Sequence, residues 1–322
     1  MNPFSYVIAQ TPESAVELVR NQGRFIAGGI DLLGELKEHL AEPKILVNVK
    51  MLPGTQEIVP GADKWVIGAN VPLASVAAHA GLRSVFPGLA EAAEEVGSPQ
   101  MRNVATVGGN LAQHSRCWYY RHRDIRCLKK GGAICYAREG ENKYHCLFSD
   151  ATCISPVVSN LATALTALGA AVVVQRGPKR ETLTLVQLYE SAWESARAHN
   201  SLKSTDLILR IEVPARANGR SAYLQMGEKS DFDWALVSCA AAARVDGRTL
   251  RDARVVLGAV APIPWQVEAA NQFLEGKELT DAVAAQAADL ILRDAEPLAH
   301  NAYKVPLAHT LIRRSLAKLL AA

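Results

Sequence analysis

The stretch Ile26-Ala27-Gly28-Gly29-Ile30-Asp31-Leu32-Leu33 and the later Arg102-Asn103-Val104-Ala105-Thr106-Val107-Gly108-Gly109-Asn110-Leu111 decide how this chain is read. In the first, an apolar strand end runs through Gly-Gly into a helical pattern. Glycines there let a backbone approach a phosphate closely, and amides at a helix start attract anions. In the second, Gly108-Gly109 lies between Thr106 and Asn110, which add side-chain donors to those of the backbone. Neither fits the G-x-G-x-x-G of a dinucleotide fold. Taken singly, each is more often a tight turn with no ligand. Two such loops in one half of a chain are a stronger signal than either alone.

Outward from these loops, the first fifty-odd residues read as a small βαβ-like unit. Thr11-Pro12-Glu13 supplies an N-cap, an N1 proline and an acidic first turn, and Gly23 closes that helix. Strands are expected at 24–27 and 44–49, with a helix at 32–39. A strand at 65–69 and helices near 73–79 and 89–96 follow. From Gly97 to about Cys153 the periodicity fails. Order resumes with a helix near 156–168, a strand at 170–175, a charged turn at 176–181 and a strand at 207–213. Ala215 to Arg220 reads as a linker. Beyond it, long strands at 222–226, 235–245 and 250–260 precede helices after Pro264, after Thr280 and near 306–320. Strands followed by helices predict a separate α+β unit.

The 322 residues are 49% hydrophobic and 21% charged, ample for a packed core. A formal net charge of +3 is too small to make nucleic acid or an anionic membrane the main partner. Residues 1–6 have neither the basic nor the apolar region of a secretory signal. Leu161 to Val174, broken by Thr163 and Thr166, falls short of the roughly 20 residues a membrane span needs. The chain is therefore expected to be cytoplasmic, or periplasmic if exported with a partner.

Of six cysteines, Cys117, Cys127, Cys135, Cys146 and Cys153 fall in one segment, and Cys239 sits alone in an apolar run. A local cysteine cluster in a reducing compartment points to metal rather than disulfides. No spacing is C-x-x-C, so a zinc ribbon fits poorly, whereas four loop thiolates are the usual holder of a [4Fe–4S] cluster. Zinc or merely structural cysteines remain the alternative. Arg116, Arg121, Arg123, Arg126, Lys129 and Lys130 make the segment basic, which would offset a thiolate-held cluster. The stretch 144–148 has the pattern of a short strand, where Cys146 packs as a small hydrophobe. His114 reads as a local hydrogen-bonder and Cys239 as a core residue.

Together with Asn301-Ala302-Tyr303-Lys304-Val305-Pro306-Leu307, the two glycine loops resemble the FAD-binding medium subunit of the xanthine dehydrogenase and aldehyde oxidoreductase family of molybdenum hydroxylases, over nearly the whole chain. The resemblance implies an α+β chain. Its FAD domain, 1–214, would be two-part and of the vanillyl-alcohol-oxidase (PCMH) type, with subdomains 1–55 and 56–214 and a Cys-rich insertion at about 115–154. A CO-dehydrogenase-flavoprotein-like domain would follow at 219–322. It implies that Ile26, Ala27, Gly28, Gly29, Ile30, Asp31, Leu32 and Leu33, with Thr106, Gly108, Gly109 and Asn110, wrap the pyrophosphate of FAD. Val96 and Leu207 or Leu209 would flank the flavin, with Lys229 and Trp234 near it. Where the family usually has Ser-Asp, this chain has Ser159-Asn160. Asn160 keeps a hydrogen-bonding group but drops a charge, which would raise the flavin potential.

The cysteine segment is similar to an insertion found in two branches, the aldehyde oxidoreductases and the 4-hydroxybenzoyl-CoA reductases, and Gly140 to His145 is closer to the first. That alignment implies Cys117, Cys127, Cys135 and Cys153 as cluster ligands. The chain carries no molybdopterin-binding sequence and no plant-type [2Fe–2S] run. The resemblance therefore implies a heterotrimer with a small [2Fe–2S] subunit and a large molybdenum-cofactor subunit. Electrons would pass through FAD to an external acceptor, or the reverse way in a reductase. No catalytic acid–base pair can be nominated, which separates this reading from a free-standing flavin oxidase.

Overall fold

The computed structural model describes residues 1–230 and 232–321. The first sheet is parallel, with strands β1 (Ser5–Ile8), β2 (Gly23–Ile26) and β3 (Ile45–Asn48) in the order β1-β3-β2. The second holds β4 (Ile58–Val59), β5 (Lys64–Gly68), β6 (Ala171–Arg176), β7 (Lys179–Thr184) and β8 (Leu207–Pro214), antiparallel in the order β4-β5-β8-β6-β7. The third, β9 (Gly219–Met226), β10 (Val237–Asp246) and β11 (Thr249–Gly258), is an antiparallel meander.

The helix Pro12–Val19 starts at Thr11, whose hydroxyl accepts from the Ser14 amide while the Ser14 side chain answers the Thr11 amide. Gly23 does not close that helix. The helix ends at Arg20, Gln22 takes the left-handed turn (φ 57°), and Gly23 opens β2. Ala15, Val16 and Val19 pack on Val47 and Val49, and Leu207 and Leu209 of β8 join the same cluster. The first two sheets thus share apolar cover.

The helix Asn160–Leu168 is the pivot of the rest. It is capped by Ser159, ends at Gly169 in the left-handed conformation, and is buried along almost its whole length. Leu161 and Leu165 lie in a cluster that runs from Ile67 and Ile211 in the second sheet to Ala240 and Val256 in the third. A second core forms where the third sheet meets the helices Asp281–Leu292 and Lys304–Ala321.

Four expectations need revising. The stretch from Gly97 holds two short helices, Pro99–Val104 and Val107–Leu111, each started by a hydroxyl cap, Ser98 and Thr106. The charged 176–181 turn is the hairpin joining β6 to a full strand, β7. The helix Leu185–Glu194, with a Thr184/Gln187 capping box, had no counterpart in the reading. Residues 144–148 form no strand. Their backbone is held instead by Asn301, Lys304 and the Val260 carbonyl.

Truncating Leu165, 1% exposed, leaves a void that close-packed neighbours fill only in part. Leu165→Ala should cost about 3 kcal/mol in denaturant unfolding; a loss below about 1 kcal/mol would remove this helix from the shared core.

Candidate cofactor sites

One large cleft opens where the first sheet, the second sheet and the loop before β10 meet. Ile26, Ala27, Gly28, Gly29, Ile30, Asp31 and Leu32 line it on one side, and Thr106, Gly108, Gly109 and Asn110 on another. Val96, Asn160, Leu207 and Trp234 complete the residues that the sequence singled out and the fold brings here. Leu33 and Lys229 do not line it, and Leu209 lies in the buried core. Sequence reasoning missed the wall from Asn200 to Asp206 and Phe232, which no local motif marks.

The two glycine loops touch. A Cβ on Gly28 would lie 2.1 Å from the Val104 carbonyl oxygen, so only glycine permits this approach. Gly29 adopts the left-handed conformation at φ 74°. The loops differ in what they offer. The amides of 28–32 have no intramolecular acceptor among the described residues, so they are free to receive an anion. In the second loop every amide from 107 to 110 is taken. Val107 donates to the Val71 carbonyl, Gly108 to that of Ala69, Gly109 to the Thr106 hydroxyl and Asn110 to the Thr106 carbonyl. The expected backbone donors of this loop are thus spent on the fold. Gly109 is exposed in the cleft, and Asn110 accepts a hydrogen bond from the Ser159 hydroxyl at 2.6 Å. Asn160 donates to Gln225 Oε1 at 2.8 Å.

The helix following the first loop, Leu32–Lys37, is tied to the cysteine segment. Asp31 accepts from Arg116 and Arg121, both at 2.6 Å, and from the His114 amide at 2.8 Å. Glu35, 2% exposed, pairs with His114 Nδ1 at 2.8 Å and accepts the Tyr120 hydroxyl at 3.0 Å. Burial alone would push the Asp31 carboxyl up; the Arg116 and Arg121 guanidiniums and the His114 amide outweigh it and hold the carboxyl below its ordinary value. The Glu35 carboxyl is lowered likewise, with His114 overcoming burial. Arg116 also lies over Trp234, 5.7 Å from the ring centroid.

Beyond this knot is a small cavity lined by Cys117, Cys127, Cys135 and Cys153, with Lys129 and His145. Cys146 is absent from it and packs, fully buried, with Ala137 and Ile154. All six cysteines are free thiols. Among the described residues no group of three or more His, Cys, Asp or Glu side chains is drawn together closely enough to hold a metal ion as it stands. Burial raises the Cys117 thiol to about 12 and the Cys153 thiol above its ordinary value. Two ammonium groups are nevertheless buried here, Lys129 lining the cavity and Lys304 near Cys146. Lys129 donates to the Ala198 carbonyl at 2.7 Å, and Lys304, 0% exposed, to those of His145 and Ala259. Neither meets a carboxylate among the described residues, and burial lowers both, Lys304 to about 8. Buried cations without anions are costly. A cavity with four thiols and flanking ammoniums fits a group that carries net negative charge when thiolate-bound.

Residues 114–117 contribute to both spaces. His114 and Arg116 line the cleft, and Ser115 and Cys117 line the cysteine cavity.

The description "FAD binding domain in molybdopterin dehydrogenase" matches residues 2–216, and "CO dehydrogenase flavoprotein C-terminal domain" matches 221–319. The chain belongs to the FAD-binding medium subunits of the molybdenum hydroxylases. As a member of that family it is an FAD-binding oxidoreductase subunit. It is 33% identical to the aldehyde oxidoreductase FAD-binding subunit PaoB of Escherichia coli (strain K12), an alignment covering 100% of this chain and 98% of the relative. It is 27% identical to the carbon monoxide dehydrogenase medium chain of Hydrogenophaga pseudoflava, covering 97% and 96%. A solved carbon monoxide dehydrogenase from that organism shares the fold at a TM-score of 0.78 and 24% identity, over 99% of this chain and 98% of the other. Among the described residues no helix of this medium subunit is long and apolar enough to cross a membrane.

Because both carboxyls are lowered, the knot's contribution is fully present above the ordinary Glu value of 4.5 and is lost as pH falls through the lowered values. Asp31→Asn should cost about 2 kcal/mol at pH 7, since charge-assisted bonds to two guanidiniums are lost. It should also flatten the loss of stability on acidification below the Asp value. A variant whose acid unfolding curve parallels the wild type would show that the knot contributes nothing.

Proposed function

We propose that this chain is the FAD- and [4Fe–4S]-carrying electron-transfer subunit of a heterotrimeric molybdenum hydroxylase. Its partners are a small [2Fe–2S] subunit and a large molybdenum-cofactor subunit, and it passes electrons between the [2Fe–2S] subunit and an external acceptor. The 33% identity over full length to an aldehyde oxidoreductase subunit favours the aldehyde type. The observation that carries the reading is that one short run, 114–117, lines both the cleft and the cysteine cavity.

In this reading the units run 1–214 and 219–322. The free amides of 28–32 receive the pyrophosphate, and Val96, Asn160 and Leu207 border the flavin. Gly109 leaves room, and Thr106 and Asn110 hold the second loop against Ser159. Bound FAD takes up and releases electrons singly or in pairs, and a cubane cluster moves one at a time, so together they join one-electron and two-electron partners. Cys117, Cys127, Cys135 and Cys153 would hold the cluster. Lys129 and Lys304 would balance its charge, and Tyr119 and Tyr120 help close the cavity.

Gly109→Leu would place a branched side chain in the cleft, against the Thr106 hydroxyl that caps the loop, 3.0 Å from the position of a Cβ. The purified variant should lose its flavin absorption while remaining folded by circular dichroism. Wild-type flavin stoichiometry would refute the assignment of this loop.

For the cluster, Cys127→Ser, Cys135→Ser and Cys153→Ser should each lose most of the iron, about four atoms per chain. Cys146→Ser should keep it, since that thiol packs outside the cavity. Iron loss in Cys146→Ser with retention in Cys153→Ser would reverse the ligand set. Absence of iron from the wild type would end the cluster reading and leave the FAD reading standing.

A further inference from the structure

One wall of the cysteine cavity is built by a residue that is neither a thiol nor a charge. His145 is 2% exposed, lines the same cavity as the four cysteines, and places Nε2 3.2 Å from Cys117 Sγ. Its other ring nitrogen, Nδ1, is buried with no hydrogen-bond partner among the described residues. A neutral imidazole carries one N–H, and among the described residues the hydrogen-bonding contact of its nitrogens is the sulfur, so Nε2 is the position where that proton finds an acceptor.

The ring is held from two sides. Trp118 stands edge-on at 5.7 Å between centroids, and Tyr119 is tilted against the ring at 6.2 Å. From the C-terminal domain, Lys304 Nζ donates to the His145 carbonyl at 2.9 Å and Asn301 Nδ2 to the same oxygen at 3.2 Å. Asn301 Nδ2 also donates to the Cys146 carbonyl at 2.9 Å, and its Oδ1 takes the Leu298 amide at 2.7 Å. Neither Asn301 nor Lys304 is exposed to solvent. So much buried polar structure around one short irregular stretch is costly unless it fixes something. What it fixes is the direction of one imidazole toward one sulfur.

We propose that His145 is a positioning residue that donates an Nε2–H hydrogen bond to the Cys117 sulfur and thereby raises the reduction potential of the cluster bound there. The inference rests on the [4Fe–4S] reading above. A donor to a ligating sulfur draws off charge that accumulates when the cluster takes an electron, so it favours the reduced form. Asn301 and Lys304 keep that donor in place from the neighbouring domain. The C-terminal domain thereby acts on the redox balance of a site it does not line through any sulfur of its own.

The test is a redox titration of the [4Fe–4S] electron paramagnetic resonance signal in the full chain with its partner subunits, alongside iron content. His145→Phe removes the donor, and His145→Gln keeps an N–H of similar reach. The Phe variant should retain wild-type iron and titrate at lower potential, by on the order of a tenfold change in equilibrium constant, or about 59 mV for a one-electron couple. The Gln variant should return most of that shift. An unchanged potential in an iron-replete Phe variant overturns the proposal. Should the Phe variant fail to hold iron, His145→Leu supplies the non-donor arm. Iron loss in both, with retention in Gln, would tie the N–H to holding the cluster rather than to its potential and overturn the proposal. Iron loss in all three would make His145 necessary for holding the cluster and overturn it as well. Wild-type protein without iron would instead remove the cluster reading, and this inference with it.

Discussion

A segment with little regular secondary structure cannot shape two adjoining cavities through its own backbone hydrogen bonds, and that constraint governs this molecule. Between Ala112 and Ser159 there are only the short turns Trp118–Arg121 and Leu128–Lys130. Its form is imposed from outside. From the first domain, Asp31 and Glu35 reach across to Arg116, Arg121, His114 and Tyr120. From the last helix and the turn before it, Lys304 and Asn301 reach the carbonyls at 145 and 146. Both sets are largely buried, where each bond is stronger and each unpaired group more costly than in water. The insertion is therefore clamped at two ends by polar groups that would be surface residues without it.

The regular elements were legible where local signals and tertiary demand agree. The Thr11 cap, the apolar strands of the third sheet and the long C-terminal helix all carry their own pattern. Local signals misled where tertiary contacts set a different use. Gly108-Gly109 carries the mark of a backbone-donor loop, yet it lies in the helix Val107–Leu111, started by the Thr106 cap and pressed against Ala69. Residues 144–148 alternate as a strand does, but they have no neighbouring strand to pair with.

The candidate sites follow the same division. Glycines and cysteines carry their chemistry in the sequence, and the fold gathers the four cysteines other than Cys146 around one cavity. What sequence could not give was the role of residues whose ordinary place is solvent. Lys304, in Tyr-Lys-Val-Pro, carries no local mark of burial and is wholly buried. Asp31 reads as a residue of the phosphate loop, yet its carboxylate turns to two arginines of the insertion. In both cases the partner lies far along the chain, and no window of sequence contains the pair.

The extended run from His114 to Cys117 has a consequence for how this region can change over generations. Its four residues are divided between two spaces, His114 and Arg116 lining the cleft and Ser115 and Cys117 the cysteine cavity. A residue added or deleted within 114–117 would shift the side chains that follow by one place along this wall, so that a thiol and a guanidinium could no longer both keep their sides. Alignments of relatives should therefore show these four residues without gaps, however freely the remainder of the insertion varies in length.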